Sequence, residues 1–129
     1  MNVEASSKVR VLLVDDSETF LRAALRLMRV EYAQELEVIA TARNGDDALR
    51  AAGELQPDLV LLDINMPGTN GIELIPLLRA RLPHVPIIML TLLERSTHER
   101  EALAAGADGY VVKNQMDEQL LPAIRRVRA

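Results

Sequence analysis

The stretches "LVLLD" and "PIIML" contain runs that are apolar at every position, Leu59–Leu62 and Ile87–Leu90. A strand with one wet face alternates polar and apolar residues; these do not, so both faces must be covered. Three further β-rich runs accompany them, giving strands expected at Val9–Asp15, Glu37–Ala42, Asp58–Leu62, Ile87–Leu90 and Gly109–Val112. Longer segments between them carry helix punctuation. Ser17 can cap a helix with Leu21, Ala24, Leu25 and Met28 on one face, and Asn44 precedes "GDDALRAAGEL", whose Asp46 and Asp47 favour a helix N-terminus. "NGIE" (Asn70–Glu73) and "STHE" (Ser96–Glu99) read as capping boxes, Gly106 suits the residue after a fourth helix, and a fifth runs from Met116 to Arg128. Pro76 and Pro122 fall early in the third and fifth helices, where each removes a donor and is expected to kink. The order βαβαβαβαβα predicts an α/β fold: a single (βα)5 doubly wound domain with a parallel sheet and helices on both faces.

At 129 residues the chain suits one domain, expected over residues 9–129, with residues 1–8 as a disordered tail. Only Phe20, Tyr32 and Tyr110 are aromatic, so the core must be aliphatic and each aromatic needs a local reason. A net charge of −4 argues against nucleic-acid binding by this chain. There is no cysteine, which is compatible with a reducing cytoplasm, and no apolar stretch approaches the roughly 20 residues of a membrane helix. "MNVEASSK" lacks the apolar centre of a signal peptide.

In doubly wound sheets the working site lies beyond the carboxyl ends of the strands. There the first strand delivers Asp15 and Asp16, the third Asp63, the fourth Thr91 and the fifth Lys113. Two carboxylates about 5 Å apart repel by roughly 3 kcal/mol at an effective dielectric near 20, so three need a cation. Lys113 supplies one charge. A few hard oxygen ligands with room for water suit Mg²⁺ better than a fully caged Ca²⁺. A carboxylate beside Mg²⁺, an ammonium and a hydroxyl can accept a phosphoryl group. Each residue alone has an ordinary reading, as a helix cap, a strand-end residue or a surface lysine; the joint pattern favours the phosphoryl site.

The motifs "LLVDDSE", "LVLLDINMPGTNGIEL", "IIMLT" and "GADGYVVK", in that order, resemble the receiver domain of bacterial two-component response regulators, over about Lys8 to Val127. The resemblance implies a flavodoxin-like, CheY-like strand order of 2-1-3-4-5. It implies that Asp63 is the phosphoacceptor, taking its group from a sensor histidine kinase or a small donor such as acetyl phosphate. Asp16 and Asp63 would bind Mg²⁺ directly, Asp15 largely through water, and Asn65 through its backbone carbonyl. Thr91 and Lys113 would meet the phosphoryl oxygens, with Thr91 and Tyr110 forming a conformational switch; Tyr110 equally suits ordinary strand core. A phosphorylation-promoted homodimer is expected through the fourth helix, fifth strand and fifth helix, or through the first and fifth helices.

"GADGYVVKN" is most similar to the NarL/FixJ (LuxR-type) subgroup, in which a DNA-binding output domain follows a linker. No output domain lies within this chain, so transcriptional control through a domain outside it is expected, with a stand-alone receiver as the alternative. Asn114 stands where many members have proline, which argues against a cis bond after Lys113. Leu92 and Leu93 occupy places where small residues are frequent, and predict restricted access of water and slow self-dephosphorylation. Arg125, Arg126 and Arg128 read as dipole partners at a helix end rather than DNA contacts. His84 and His98 carry no site. A small aspartyl phosphatase is a remote alternative, since Asn65 stands where such an enzyme needs a second Asp; the chain is read as a phosphoacceptor that assists its own phosphorylation and dephosphorylation, not as an enzyme.

Overall fold

The computed structural model describes residues 8–66, 68–92 and 96–128. Five parallel strands, β1 (Val9–Val14), β2 (Leu36–Ala42), β3 (Leu59–Leu62), β4 (Ile87–Thr91) and β5 (Gly109–Val112), form one sheet in the order β2-β1-β3-β4-β5. The helices are α1 (Glu18–Val30), α2 (Gly45–Leu55), α3 (Gly71–Arg81), α4 (Ser96–Ala105) and α5 (Met116–Arg128). This is the expected CheY-like fold with its flavodoxin-like order.

The strand pleat explains the two-sided burial. Leu12 and Val14 join a cluster with Ala48 and Ala52 of α2, Leu74, Ile75 and Leu78 of α3, and Ala102 of α4. Val11 and Leu13 face the other way, into Leu21, Ala24 and Met28 of α1 and Leu120, Ala123 and Ile124 of α5. Every residue of β3 and β4 is buried, as two uninterrupted apolar runs require.

The caps behave locally as their chemistry dictates. Ser17 Oγ accepts from Phe20 N at 3.2 Å, and Asn44 Oδ1 from Asp47 N at 2.8 Å. Asn70 caps α3 through Ile72 N at 2.8 Å, one residue earlier than the capping-box reading placed the bond. The corresponding Ser96 side chain lies outside the described residues, as do residues 1–7 and Leu93. Gly106 takes φ 116° directly after α4, as a left-handed terminator should. Pro76 and Pro122 lie inside their helices, on exposed positions, and each leaves its helix one donor short.

Three departures from the sequence reading concern short features. β1 stops at Val14, although Asp15 N still donates to Ala42 O at 2.9 Å. Asn65–Met66 pairs antiparallel with Thr69–Asn70 in a small ladder beyond β3. Lys113–Gln115 forms a 3-10 turn before α5. The described residues contain no cis peptide. At the C-terminal end of α5, Arg125 pairs with Glu35 at 2.7 Å and Arg128 reaches Asp58 O at 3.4 Å, so both have partners within the fold.

Candidate functional site

Strand geometry brings the sequence-selected groups to one place. Asp63 N donates to Val14 O at 3.0 Å, which fixes the end of β3 beside the end of β1. Asp15, Asp16 and Asp63 then present carboxylate oxygens within 4.8 Å of one another. Asp15 and Thr91 are each 1 % exposed, Asp63 is buried, and Asp16 is half-buried. Charges so confined need compensation.

Lys113 provides part of it from the 3-10 turn after β5. Its Nζ lies 2.6 Å from Asp15 Oδ2 and 3.6 Å from Asp63 Oδ2, with 8 % of the side chain exposed. One ammonium against three carboxylates leaves the site negative. Asp15 Oδ1 accepts from Ser17 N at 2.8 Å, and the buried Oδ2 faces the Lys113 ammonium. Three carboxylates within reach of one another, with a single ammonium between two of them, fit an additional cation. The group could hold a metal ion.

Asp63 carries the clearest electrostatic signature. Burial pushes its carboxyl above the ordinary value of 3.8, and Asp15 adds to the rise; Lys113, the Thr91 hydroxyl and the Ile64 N–H pull the other way. The sign for stability follows. A carboxyl raised in the folded state stabilises the fold below its unfolded value, and that contribution is lost as pH rises through the folded value. Without divalent metal, Asp63→Asn should therefore melt several degrees above the wild type at neutral pH. The gain should shrink as pH falls towards 3.8. Thermal melts in a chelator check this; a gain that does not depend on pH would contradict it.

A cavity of about 180 Å³ opens between these groups, lined by Asp15, Asp16, Asp63, Thr91 and Lys113, with Ser17, Asn65 and Leu92 at its borders. Asp16 also borders two wider clefts of about 440 and 640 Å³, which leaves room for water around a cation. Leu92 is 71 % exposed and stands at the mouth rather than filling the cavity. Truncating it should widen the approach of water, so a phosphorylated Leu92→Ala protein should lose its group several-fold faster than wild type. Equal decay rates would contradict that role.

Tyr110, buried on β5 beside Met89, packs in the core cluster of the α2–α4 face and also walls a cleft of about 220 Å³ with Pro122 and Arg126. Two residues at the site had not been singled out for it. The Phe20 ring lies 4.1 Å from Lys113 Nζ, and Gly71 presses against the backbone of Asp63. For Phe20 the signal was its rarity, one of three aromatics in an aliphatic chain.

A doubly wound domain with three carboxylates, a hydroxyl and a lysine at the ends of its strands has the architecture of a signalling receiver domain. The pattern of the response regulator receiver domain matches residues 11–125, and the chain belongs to that family, part of two-component regulatory systems. It is 38 % identical over 121 residues to the transcriptional regulatory protein LnrK of Bacillus subtilis (strain 168), covering 94 % of this chain and 54 % of that protein. To the nitrate/nitrite response regulator protein NarL of Escherichia coli (strain K12) it is 37 % identical, covering 92 % and 54 %. The chain thus spans about half the length of these curated relatives.

Among solved structures it is similar to a LuxR-family response regulator from Aurantimonas sp. SI85-9A1, with a TM-score of 0.85 and 31 % identity over 94 % of this chain and 85 % of that one. The receiver domain of a response regulator NarL from Mycobacterium tuberculosis gives 0.82 and 26 %, over 95 % and 98 %. The similarities of this chain include LuxR/NarL-type regulators, and the phosphatase alternative finds no support.

Proposed function

We propose that this receiver accepts a phosphoryl group on Asp63 from the phosphohistidine of a sensor histidine kinase, and that the modification shifts its conformation to control an output. The observation that carries this reading is a buried carboxylate that shares its cavity with a hydroxyl and an ammonium. Asp63 Oδ forms the new bond to phosphorus as the bond from phosphorus to the donor nitrogen breaks, its electron pair leaving with the imidazole. Lys113 and Thr91 meet the oxygens of the transferring group, where charge must be stabilised. Asp16, Asp63 and the Asn65 carbonyl would hold Mg²⁺, with Asp15 bound to it largely through water; the ion supplies positive charge against the remaining carboxylates and the phosphoryl oxygens. The chain's own groups do the orienting: Ser17 N fixes one oxygen of Asp15, and Asp15 fixes Lys113.

Phosphorylation would favour a minor conformation through contacts of the new oxygens with Thr91 and Lys113, followed by Tyr110. The output is read as transcription through a DNA-binding domain outside this chain, supported by its likeness to the transcriptional regulatory protein LnrK, of which it spans about half. A stand-alone receiver acting by protein contact is the second reading, favoured by its likeness to the chemotaxis protein CheY4 of Vibrio cholerae, 99 % of which is covered. The setting is read as cytoplasmic; among the described residues no helix is long and apolar enough to cross a membrane. A phosphorylation-promoted homodimer through α4, β5 and α5, or through α1 and α5, completes the proposal. One solved neighbour is a BeF3-activated receiver domain, so the same reagent is apt here.

Incubation with acetyl phosphate and Mg²⁺ tests the acceptor function. One phosphoryl group should be gained by intact mass and none in excess chelator; no gain in Mg²⁺ would refute it. Sedimentation of the beryllofluoride-treated protein tests the dimer, and an unchanged mass would exclude it.

A further inference from the structure

We infer that Phe20 is a positioning residue for Lys113, holding the ammonium against the acceptor site through the face of its ring. The inference rests on the phosphoacceptor reading above and assigns the group that aims one of its cations. Phe20 is half-buried on α1 and packs with the cluster of the α1 and α5 face. Its ring centroid lies 4.1 Å from Lys113 Nζ, well inside the range in which a ring quadrupole attracts a cation. The ammonium also has Asp15 at 2.6 Å and Asp63 at 3.6 Å, and little of the side chain reaches water.

The contacts close into a ring. Asp15 Oδ1 accepts from Ser17 N at 2.8 Å, Ser17 Oγ accepts from Phe20 N at 3.2 Å, the Phe20 ring meets Lys113, and Lys113 returns to Asp15 Oδ2. The cap of α1 therefore fixes both the carboxylate and the ring that flank the ammonium. A lysine has four rotatable side-chain bonds, and the ring adds a second restraint on its amine beside the one that Asp15 supplies. An aliphatic residue at position 20 could fill the same space but would present no negative face.

The chain contains a single phenylalanine, so biosynthetic replacement of phenylalanine by fluorinated analogues alters position 20 alone. Successive fluorines drain the ring's negative face while nearly preserving its shape. Labelling by acetyl phosphate in Mg²⁺ should slow stepwise from phenylalanine to 4-fluoro- to 3,4,5-trifluorophenylalanine, by about fivefold across the series. In a Lys113→Ala background the series should be flat. As a measurement independent of rate, the ¹⁹F resonance of the 4-fluoro protein should move on Lys113→Met.

Equal rates across the series in a protein that labels would overturn the inference and leave the acceptor reading standing. So would the same slowing with and without Lys113, which packing alone would produce, or a ¹⁹F resonance indifferent to Lys113→Met. A wild-type protein that takes no phosphoryl group would instead remove the acceptor reading, and this inference with it.

Discussion

Gly71→Ala is expected to cost about 3 kcal/mol of stability, lowering the melting temperature by roughly 10 °C, and to abolish efficient phosphoryl acceptance with it. Gly71 opens α3, and its N–H donates to Ile64 O at 2.6 Å. A Cβ added there would collide with Asp63 O and lie 2.9 Å from both Asp63 C and Ile64 Cα. All three are backbone atoms, with no flexible side-chain end to move aside. The chain must shift at the residue proposed to accept the phosphoryl group, or α3 must lift from the sheet. Gly53, in the last turn of α2, has nothing within 4 Å of such a Cβ, so Gly53→Ala should stabilise by about 0.5 kcal/mol. Urea unfolding of the two variants checks the contrast. Wild-type stability and labelling in Gly71→Ala would contradict the close approach.

Lys113→Ala should slow phosphorylation by acetyl phosphate about 10²–10³-fold, the usual effect of deleting one preorganised charge stabiliser. The same change should make the fold more dependent on divalent cation. Asp15 and Asp63 lose their ammonium partner at 2.6 and 3.6 Å while staying buried, so Mg²⁺ should raise the melting temperature of the variant by more than that of wild type. The two effects run in opposite directions, which separates a positioned catalytic charge from a general loss of the site. A variant that labels at the wild-type rate, or that no longer responds to Mg²⁺, would contradict this account.

How much of this was legible in the chain depends on range. Leu59–Leu62 and Ile87–Leu90 announced strands covered on both faces, and the order of elements then brought Asp15, Asp16, Asp63, Thr91 and Lys113 to one edge, where the fold places them. Ser17 and Asn44 were readable as caps because capping is settled within three residues. The ladder of Asn65–Met66 with Thr69–Asn70 was not, since two residues a side carry no periodicity. Nor was the turn at Lys113–Gln115, which sits between a strand and a helix that were each correctly expected.

Gly71 follows an Asn cap in "TNGIEL" and looked like ordinary helix entry; its function is a clearance across the fold, invisible until α3 is docked. Phe20 was conspicuous as a rare aromatic, but helical spacing shows which face of α1 turns inward and not what waits there. Its partner is far along the chain, just past the end of β5, three strands from β1 in the sheet.

The central claim is that Asp63 is the acceptor. Wild type and Asp63→Asn, each incubated with acetyl phosphate and Mg²⁺ and digested for peptide mass spectrometry, test it directly. The account predicts one acid-stable, hydroxylamine-labile phosphoryl group on the wild-type peptide containing Asp63, and none on the variant. Undiminished labelling of Asp63→Asn, or a group located on Asp15 or Asp16 in the wild type, would contradict it.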